Sequence, residues 1–356
     1  MTFALFSFHS VLFFCSFVWR LEGGGGGLIG RGVRVIVSLG RVLWGMGRME
    51  VCLVQAPPAV PVLMVARVVT WLRGARLVVD WHNIGWTILG MKRGEGSLAV
   101  RFYRGQERFW GRRGDGHMCV SDAMRERLGR EFGLEGVVVC RDRVTSCQLS
   151  VAGGMTREEA LEWMGFEGEG EGVLIGVSPT SWTVDENFGI LLEGLPELER
   201  VCGEAGKRLV LALSGEGPGR ERFEKVVGEL SLERVRVRVW TGWVPASEYR
   251  GFLMAADFGM CFHASSSGDD VPMKLFDLLG AGLPVAAYDY GAAIREGMSA
   301  EEGCFFSDAG GLVAGVRVFL DDGEREALRK RVAGRERVTW EAEWEERAKC
   351  LLGGRA

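Results

Sequence analysis

Short apolar runs alternate with helix-length segments along most of this chain, and few architectures accept that alternation. Val51–Val54, Arg76–Asp80, His117–Ser121 and Val137–Cys140 read as strands, with helical stretches at Val60–Arg73, Leu98–Trp110 and Asp122–Phe132 between them. A second series has strands at Val173–Ser178, Arg208–Leu213, Val235–Trp240, Asp257–Phe262 and Pro284–Tyr288, with helices at Glu186–Val201, Gly219–Leu230, Ala246–Ala255 and Pro272–Ala281. Most of these strands centre on continuous apolar runs, so both of their faces must be covered. Such strands joined through helices make parallel sheets, and two series make two doubly wound α/β domains facing a cleft. The polar stretch 141–170 separates them. Within it Thr156 and Glu159 form a capping box that opens a short helix carrying Ala160, Leu161 and Trp163.

The expected organisation is a partial first domain over 51–155, a second domain over 156–335 and a C-terminal helix over 336–356. Before these, residues 1–19 carry no charged side chain, close to the ~20 residues a bilayer-spanning helix needs. Neither a basic start nor a clear cleavage site is present, so residues 1–20 read as a membrane anchor in preference to a cleaved signal peptide; a disordered start is the alternative. Residues 21–50 read as a Gly- and Arg-rich linker, in which Val33–Leu39 is a candidate strand. Arg20, Arg31, Arg34, Arg41 and Arg48 against Glu22 and Glu50 would keep the remainder of the chain in the cytosol. The net charge of −4 offers no global field for nucleic acid, and nine cysteines without C-x-x-C pairs give neither a zinc site nor a disulfide framework.

Open α/β sheets bind ligands beyond the carboxyl ends of their strands. After Val173–Ser178, the hydroxyls of Ser178, Thr180, Ser181 and Thr183 crowd a helix start, suited to a phosphate or to simple capping. Gly215 lies in the strand-to-helix turn "SGEGPGR". After Asp257–Phe262 comes "HASSSGDDVPMKLFDLL", in which Pro272 starts a helix whose positive end favours an anion. Lys274 can reach that anion, and Asp277, on the same face, can accept hydrogen bonds from ribose hydroxyls. The competing reading is a solvated Asp270–Lys274 ion pair, worth under ~1 kcal/mol. In the first series, "VVDWHN" brings Asp80 and His82 to a strand end, where a histidine suits proton abstraction or a structural role. His117, at a strand start, reads as structural.

Taken in order, "QAPPAVPVLMVA", "RGARLVVDWHNIGWTILG", "HMCVSDAMRERL", "SPTSWTVDENFGILLEGL", "LSGEGP" and "HASSSGDDVPMKLFDLLGAGLPV" resemble the chitobiosyldiphosphodolichol β-mannosyltransferases. The resemblance runs from about residue 51 to 310. It implies a GT-B fold, GDP-mannose as donor, a dolichol-diphosphate-linked chitobiose as acceptor, and a β-1,4 linkage formed with inversion at the cytosolic face of the endoplasmic reticulum membrane. By the same resemblance, Asp277 meets the nucleotide ribose, and Lys274 and the loop Ser265, Ser266, Ser267, Gly268 meet the diphosphate end. Asp270, about two turns before Asp277, could flank the same ligand, and Gly215 is counted with the donor-binding residues. Ser181 and Trp182 form the opposite lip, and His82, or else Asp80, is the general base. No metal cluster is expected and no cofactor is required, although magnesium on the diphosphate and association with other glycosyltransferases of the pathway are compatible. Residues 1–50 do not supply the three strands that the family carries before "QAPP", so an incomplete first domain is expected. Two alternatives stand beside this reading: a GT-B enzyme with another acceptor, or a donor-binding inactive fragment within a glycosylation complex.

Overall fold

The computed structural model describes residues 11–14, 28–146, 156–163, 172–241, 244, 246–336 and 338–353. The chain divides into two compact units, Met1–Arg141 with Ala342–Ala356, and Asp142–Glu341. The boundary expected near 155 therefore lies at Arg141, and the helix with the capping box opens the second unit.

The first unit holds a five-stranded parallel sheet in sequential order: β1 (Val11–Phe14), β2 (Val51–Ala56), β3 (Arg76–Trp81), β4 (Gly116–Cys119) and β5 (Val138–Val139). Its crossovers are α1 (Leu28–Gly45), α2 (Val62–Arg73), α3 (Gly85–Arg93) with α4 (Leu98–Gly111), and α5 (Asp122–Arg127), which continues into a wider turn over Leu128–Phe132. Right-handed crossovers between sequential neighbours all fall on one face of a sheet. The core on that face joins Val35, Leu39 and Leu43 of α1, Leu63 and Ala66 of α2, and Phe132 to Cys52, Val54, Leu77, Val79 and Trp81. The opposite face, Val51, Leu53, Val78 and Met118, is covered by Ala348 with Trp344 and Leu351 of the C-terminal segment, which begins as the helix Trp340–Glu343.

Two expectations for the N-terminus are corrected here. In the anchor expected over 1–20, Val11–Phe14 is a strand parallel to β2, with Val11 opposite Val51. The rest of that segment lies outside the described residues. An apolar run suits a strand of a parallel sheet as well as it suits a membrane helix, and pairing with β1 satisfies the backbone groups along the edge of β2. Among the described residues no helix is long and apolar enough to cross a membrane. In the linker expected over 21–50, Leu28–Gly45 is an 18-residue helix that includes the candidate strand Val33–Leu39. The buried Val35, Leu39 and Leu43 recur every fourth residue, which is a helix face.

The second unit has a six-stranded parallel sheet of β6 (Val173–Pro179), β7 (Arg208–Gly215), β8 (Val235–Thr241), β9 (Phe258–Cys261), β10 (Val285–Tyr288) and β11 (Gly303–Phe306), in the order β11-β10-β9-β6-β7-β8. Counted from its own first strand this is the 3-2-1-4-5-6 order of a dinucleotide-binding fold, with the switch point between β6 and β9. Its helices are α6 (Arg157–Trp163), α7 (Phe188–Glu204), α8 (Arg220–Gly228), α9 (Ala246–Met254), α10 (Met273–Gly280), α11 (Ala292–Gly297), α12 (Ala309–Leu320) and α13 (Asp322–Gly334). Leu191, Leu195 and Leu198 of α7 and Leu312 and Val316 of α12 pack on Leu174, Leu211 and Phe258, while Leu278 of α10 lies over Gly259 on the other face. The capping box on α6 forms as read: Thr156 N donates to Glu159 Oε2 at 2.7 Å, and Glu159 N to Thr156 Oγ1 at 3.1 Å. The strand β11 and the helices α11 and α12 are additions to the sequence reading of this unit.

Candidate active site

At the switch point the chain leaves β6 through Thr180–Asn187 and leaves β9 through His263–Pro272. The two loops are joined to each other. Glu186 pairs with His263 in an isolated antiparallel bridge, Asn187 N donates to Phe262 O at 2.9 Å, and Ala264 N donates to Asp185 O at 2.6 Å. Glu186 is nearly inaccessible, and its carboxylate ties three residues of the crevice together. Oε1 pairs with the Lys274 ammonium; Oε2 accepts from the Thr180 hydroxyl and, at 2.9 Å, from Ser181 N. A buried carboxylate demands such compensation. Lys274 therefore points back from the first turn of α10 into the crevice between the two loops. An ammonium has three donors, so the bond to Glu186 orients Lys274 without exhausting it.

The serine-glycine loop is organised around Asp270. His263 Nε2 lies 2.9 Å from Asp270 Oδ2, with Asp185 Oδ2 3.5 Å from the other ring nitrogen. Ser265 donates its hydroxyl to Asp270 Oδ1, Ser265 Oγ lies 3.3 Å from Ser267 Oγ, and Gly268 N donates to Ser265 Oγ at 2.9 Å. Tyr290 donates its hydroxyl to Asp270 O at 2.6 Å. Ser266 follows Ser265 in this turn. Asp270 thus holds the loop from within, and the Asp270–Lys274 ion pair considered from spacing is replaced by Asp270–His263 and Lys274–Glu186. Asp277 lies one turn beyond Lys274 and accepts from the Tyr249 hydroxyl at 3.3 Å. Burial, followed by the Asp277 charge, pushes the Tyr249 hydroxyl well above its usual range.

The loop after β7 packs backbone to backbone on the loop after β6. A Cβ on Gly215, whose φ is +129°, would lie 1.8 Å from Thr180 O, and one on Gly217 would lie 1.9 Å from Ser181 O. Glycine is required at both. Trp182 is corrected from a lip residue to an anchor. Its side chain is 2% exposed, stacks on Phe188 at 4.5 Å between ring centroids, and packs against Phe223. It holds a φ of 52°, a left-handed conformation that costs of order 1 kcal/mol and leaves Ser181 at the loop surface. The capping expected of Thr183 does not form: the cap of α7 is Asn187, without a side-chain bond, and Thr183 Oγ1 instead lies 3.1 Å from Ser181 Oγ.

In the first unit, β3 ends with Asp80 and Trp81, and His82 follows. His82 Nε2 is 2.9 Å from Asp80 Oδ2; Asp80 is almost buried, while the His82 side chain keeps 25% of its surface. A histidine fixed by a carboxylate and open to solvent is an acid–base pair in waiting. His117 is structural, as read. Burial pushes its pKa down to about 4, and Trp81 Nε1 donates to its Nδ1 at 3.4 Å. The fully buried Glu107 of α4 accepts from Gly85 N at 2.8 Å and Trp86 N at 3.1 Å, capping the start of α3, and burial pushes its pKa up to about 7. The sequence reading passed over Glu186, His263 and Glu107. For the first two the available signal was their place beside strand ends, within stretches already singled out.

Residues 15–141 match the family described as "Glycosyl transferase 4-like domain", and residues 199–353 match "Glycosyl transferase-like". The chain is 32% identical to the protein named UDP-glycosyltransferase TURAN of Arabidopsis thaliana, over 85% of this chain and 76% of that one. It is 30% identical to the chitobiosyldiphosphodolichol beta-mannosyltransferase of Homo sapiens, over 88% of this chain and 75% of that one. Among solved structures, an α,α-trehalose-phosphate synthase (UDP-forming) from Burkholderia xenovorans superposes with a TM-score of 0.63 at 13% identity, over 95% of this chain and 81% of that one, a likeness of fold. Two parallel-sheet units, the second in nucleotide-binding strand order, together with these relatives, make the chain a GT-B glycosyltransferase that belongs to the chitobiosyldiphosphodolichol β-mannosyltransferase family.

Proposed function

We propose that the protein transfers mannose from GDP-mannose to a chitobiose diphosphate carried on dolichol, with inversion and a new β-1,4 linkage, at the cytosolic face of the endoplasmic reticulum membrane. The observation that carries the donor half is the Lys274 ammonium, held by buried Glu186 at the switch point of a nucleotide-binding sheet. No side chain caps α10, so its first N–H groups and Lys274 together suit the diphosphate, beside Ser265–Gly268 and the Gly215 turn. Asp277 is assigned to the ribose. The names of the relatives support the sugar and the acceptor.

The reaction divides into two tasks. An acceptor hydroxyl attacks the anomeric carbon of mannose from the side opposite the phosphate. The C–O bond to the diphosphate breaks, and GDP leaves with the electron pair, its charge met by Lys274 and the start of α10. His82, oriented by Asp80, takes the hydroxyl proton. A magnesium ion arriving with the donor would neutralise part of the same phosphate charge that Lys274 meets, and chelation measures its share.

The name of the Arabidopsis relative favours a second reading, a UDP-sugar donor. Thermal protection by GDP and not UDP, with mannose transferred to lipid-linked chitobiose, supports the first. Equal protection supports another donor, and protection by GDP without transfer reduces the protein to a donor-binding partner.

A further inference from the structure

The helical face of the first unit carries apolar surface that no part of the described chain covers. On α4, Leu98 and Phe102 are 80% and 67% exposed, and Phe109 follows on the same side two turns later. On α2, Val68, Trp71 and Leu72 form a second stripe, with Trp71 71% exposed. Val37 and Trp44 of α1 are seven residues apart and form a third. α2 packs between α1 and α4, so the three stripes share one surface.

The surface is also strongly basic. The three helices carry eight arginines, Arg31, Arg34, Arg41, Arg67, Arg73, Arg101, Arg104 and Arg108, against a single acidic residue, Glu107, which is buried. Two of the eight are paired from neighbouring segments, Arg67 with Asp115 at 2.9 Å and Arg104 with Glu131 at 3.1 Å. On α4, Arg101, Arg108 and Arg112 are exposed beside the phenylalanines, and Arg113 lies over the Phe109 ring at 3.4 Å. Interleaved aromatic and guanidinium groups spread over neighbouring helices suit the headgroup region of a bilayer, where rings enter the interface and cations meet phosphates.

We propose that this three-helix face docks the protein on the surface of an anionic phospholipid bilayer. The docking is independent of the donor assignment. The test is flotation of the full chain with vesicles of phosphatidylcholine alone and of phosphatidylcholine and phosphatidylserine in equal parts. Binding to the anionic vesicles, weakened between ~0.1 and ~0.5 M salt, is expected. The triple substitution Arg101→Ala, Arg108→Ala, Arg112→Ala should weaken partitioning roughly a hundredfold. Leu98→Ser with Phe102→Ser should weaken it further at high salt; all five side chains are exposed, so the melting temperature should hold. Equal binding to both vesicle types, binding to neither, or variants that bind like the parent would overturn the proposal. The second of these outcomes would leave the face to an acidic protein.

Discussion

Lys274→Met separates the ion pair that the structure shows for this lysine from the diphosphate contact proposed for it. The Glu186 carboxylate keeps its bonds from Thr180 and Ser181 but loses its counter-charge, with only 2% of its side-chain surface in water. Breaking a buried ion pair costs about 3–5 kcal/mol, and the 19% exposure of Lys274 places this pair near 3. In a unit spanning Asp142–Glu341, that corresponds to a fall of roughly 6–12 °C in melting temperature. Adding Glu186→Gln removes the orphaned charge while an amide oxygen still accepts from Ser181 N, so stability should return to within about 1 kcal/mol of the parent. Nucleotide binding should not return. A hydrogen bond to a charged group contributes about 1.5–3 kcal/mol, so GDP should bind roughly 10- to 100-fold more weakly to the single and the double variant alike. Urea melts and calorimetric GDP titration read the two effects separately. A double variant that binds GDP like the parent would make Lys274 a structural partner of Glu186 and refute its place on the diphosphate.

His82→Ala should lower kcat about 10²- to 10⁴-fold with GDP affinity unchanged, and full turnover in that variant would remove His82 as the base. Gly215→Ala drives a Cβ toward Thr180 O and should both lower the melting temperature and weaken GDP binding, which differential scanning fluorimetry with and without GDP measures together. Glu107 and His117 should give opposing pH dependences. With its folded pKa raised to about 7 from 4.5, Glu107 contributes stability present below pH 4.5 and lost as pH rises through 7; with its folded pKa lowered to about 4 from 6.5, His117 contributes stability present above pH 6.5 and lost as pH falls through 4. Glu107→Gln should therefore leave stability rising by about 3 kcal/mol between pH 4 and 6.5, measured by urea melts across that range, and a flat profile would contradict the assignment.

The sheets were legible because parallel strands leave a crude signal: Val173–Pro179 and Arg208–Gly215 are apolar residue after residue, and both lie almost wholly buried where the pattern put them. Val11–Phe14 and Leu28–Gly45 were misread for two physical reasons. A charge-free run does not distinguish lipid from a sheet interior, and a glycine run next to arginines hid the four-residue recurrence of Val35, Leu39 and Leu43. At the site, helix chemistry located Lys274 and Asp277, but their partners are long-range. Glu186 is 88 positions from Lys274, and Tyr249 is 28 from Asp277. Those pairings follow from the β6–β9 adjacency and from how α9 and α10 pack, and no local spacing encodes either. Trp182 shows the opposite failure, since a tryptophan beside a strand end advertises a stacking surface until the Phe188–Phe223 cluster is seen to enclose it.

The strand order of the first unit links its charge pattern to its chemistry. Sequential parallel strands send every right-handed crossover to one face, so α1, α2 and α4 form an outer layer with nothing beyond it among the described residues, and the basic, aromatic stripes lie there. The same order leaves Val51, Leu53, Val78 and Met118 bare on the other side, and the chain returns at its C-terminal end to cover them. On that returning segment Glu345 pairs with Lys349 at 2.6 Å and Glu346 with Arg347 at 3.1 Å. Glu343 Oε1 accepts from Arg141 N at 3.3 Å, and Leu351 lies under the start of β4. Asp80 follows Val78 on this covered face, which accounts for its burial, and His82 lies just past the last residue of the strand, where the carboxylate can reach it and water still can. An outer layer of three helices, a face sealed by the chain's own end and a strand end that leaves His82 partly open to water all follow from one order of strands.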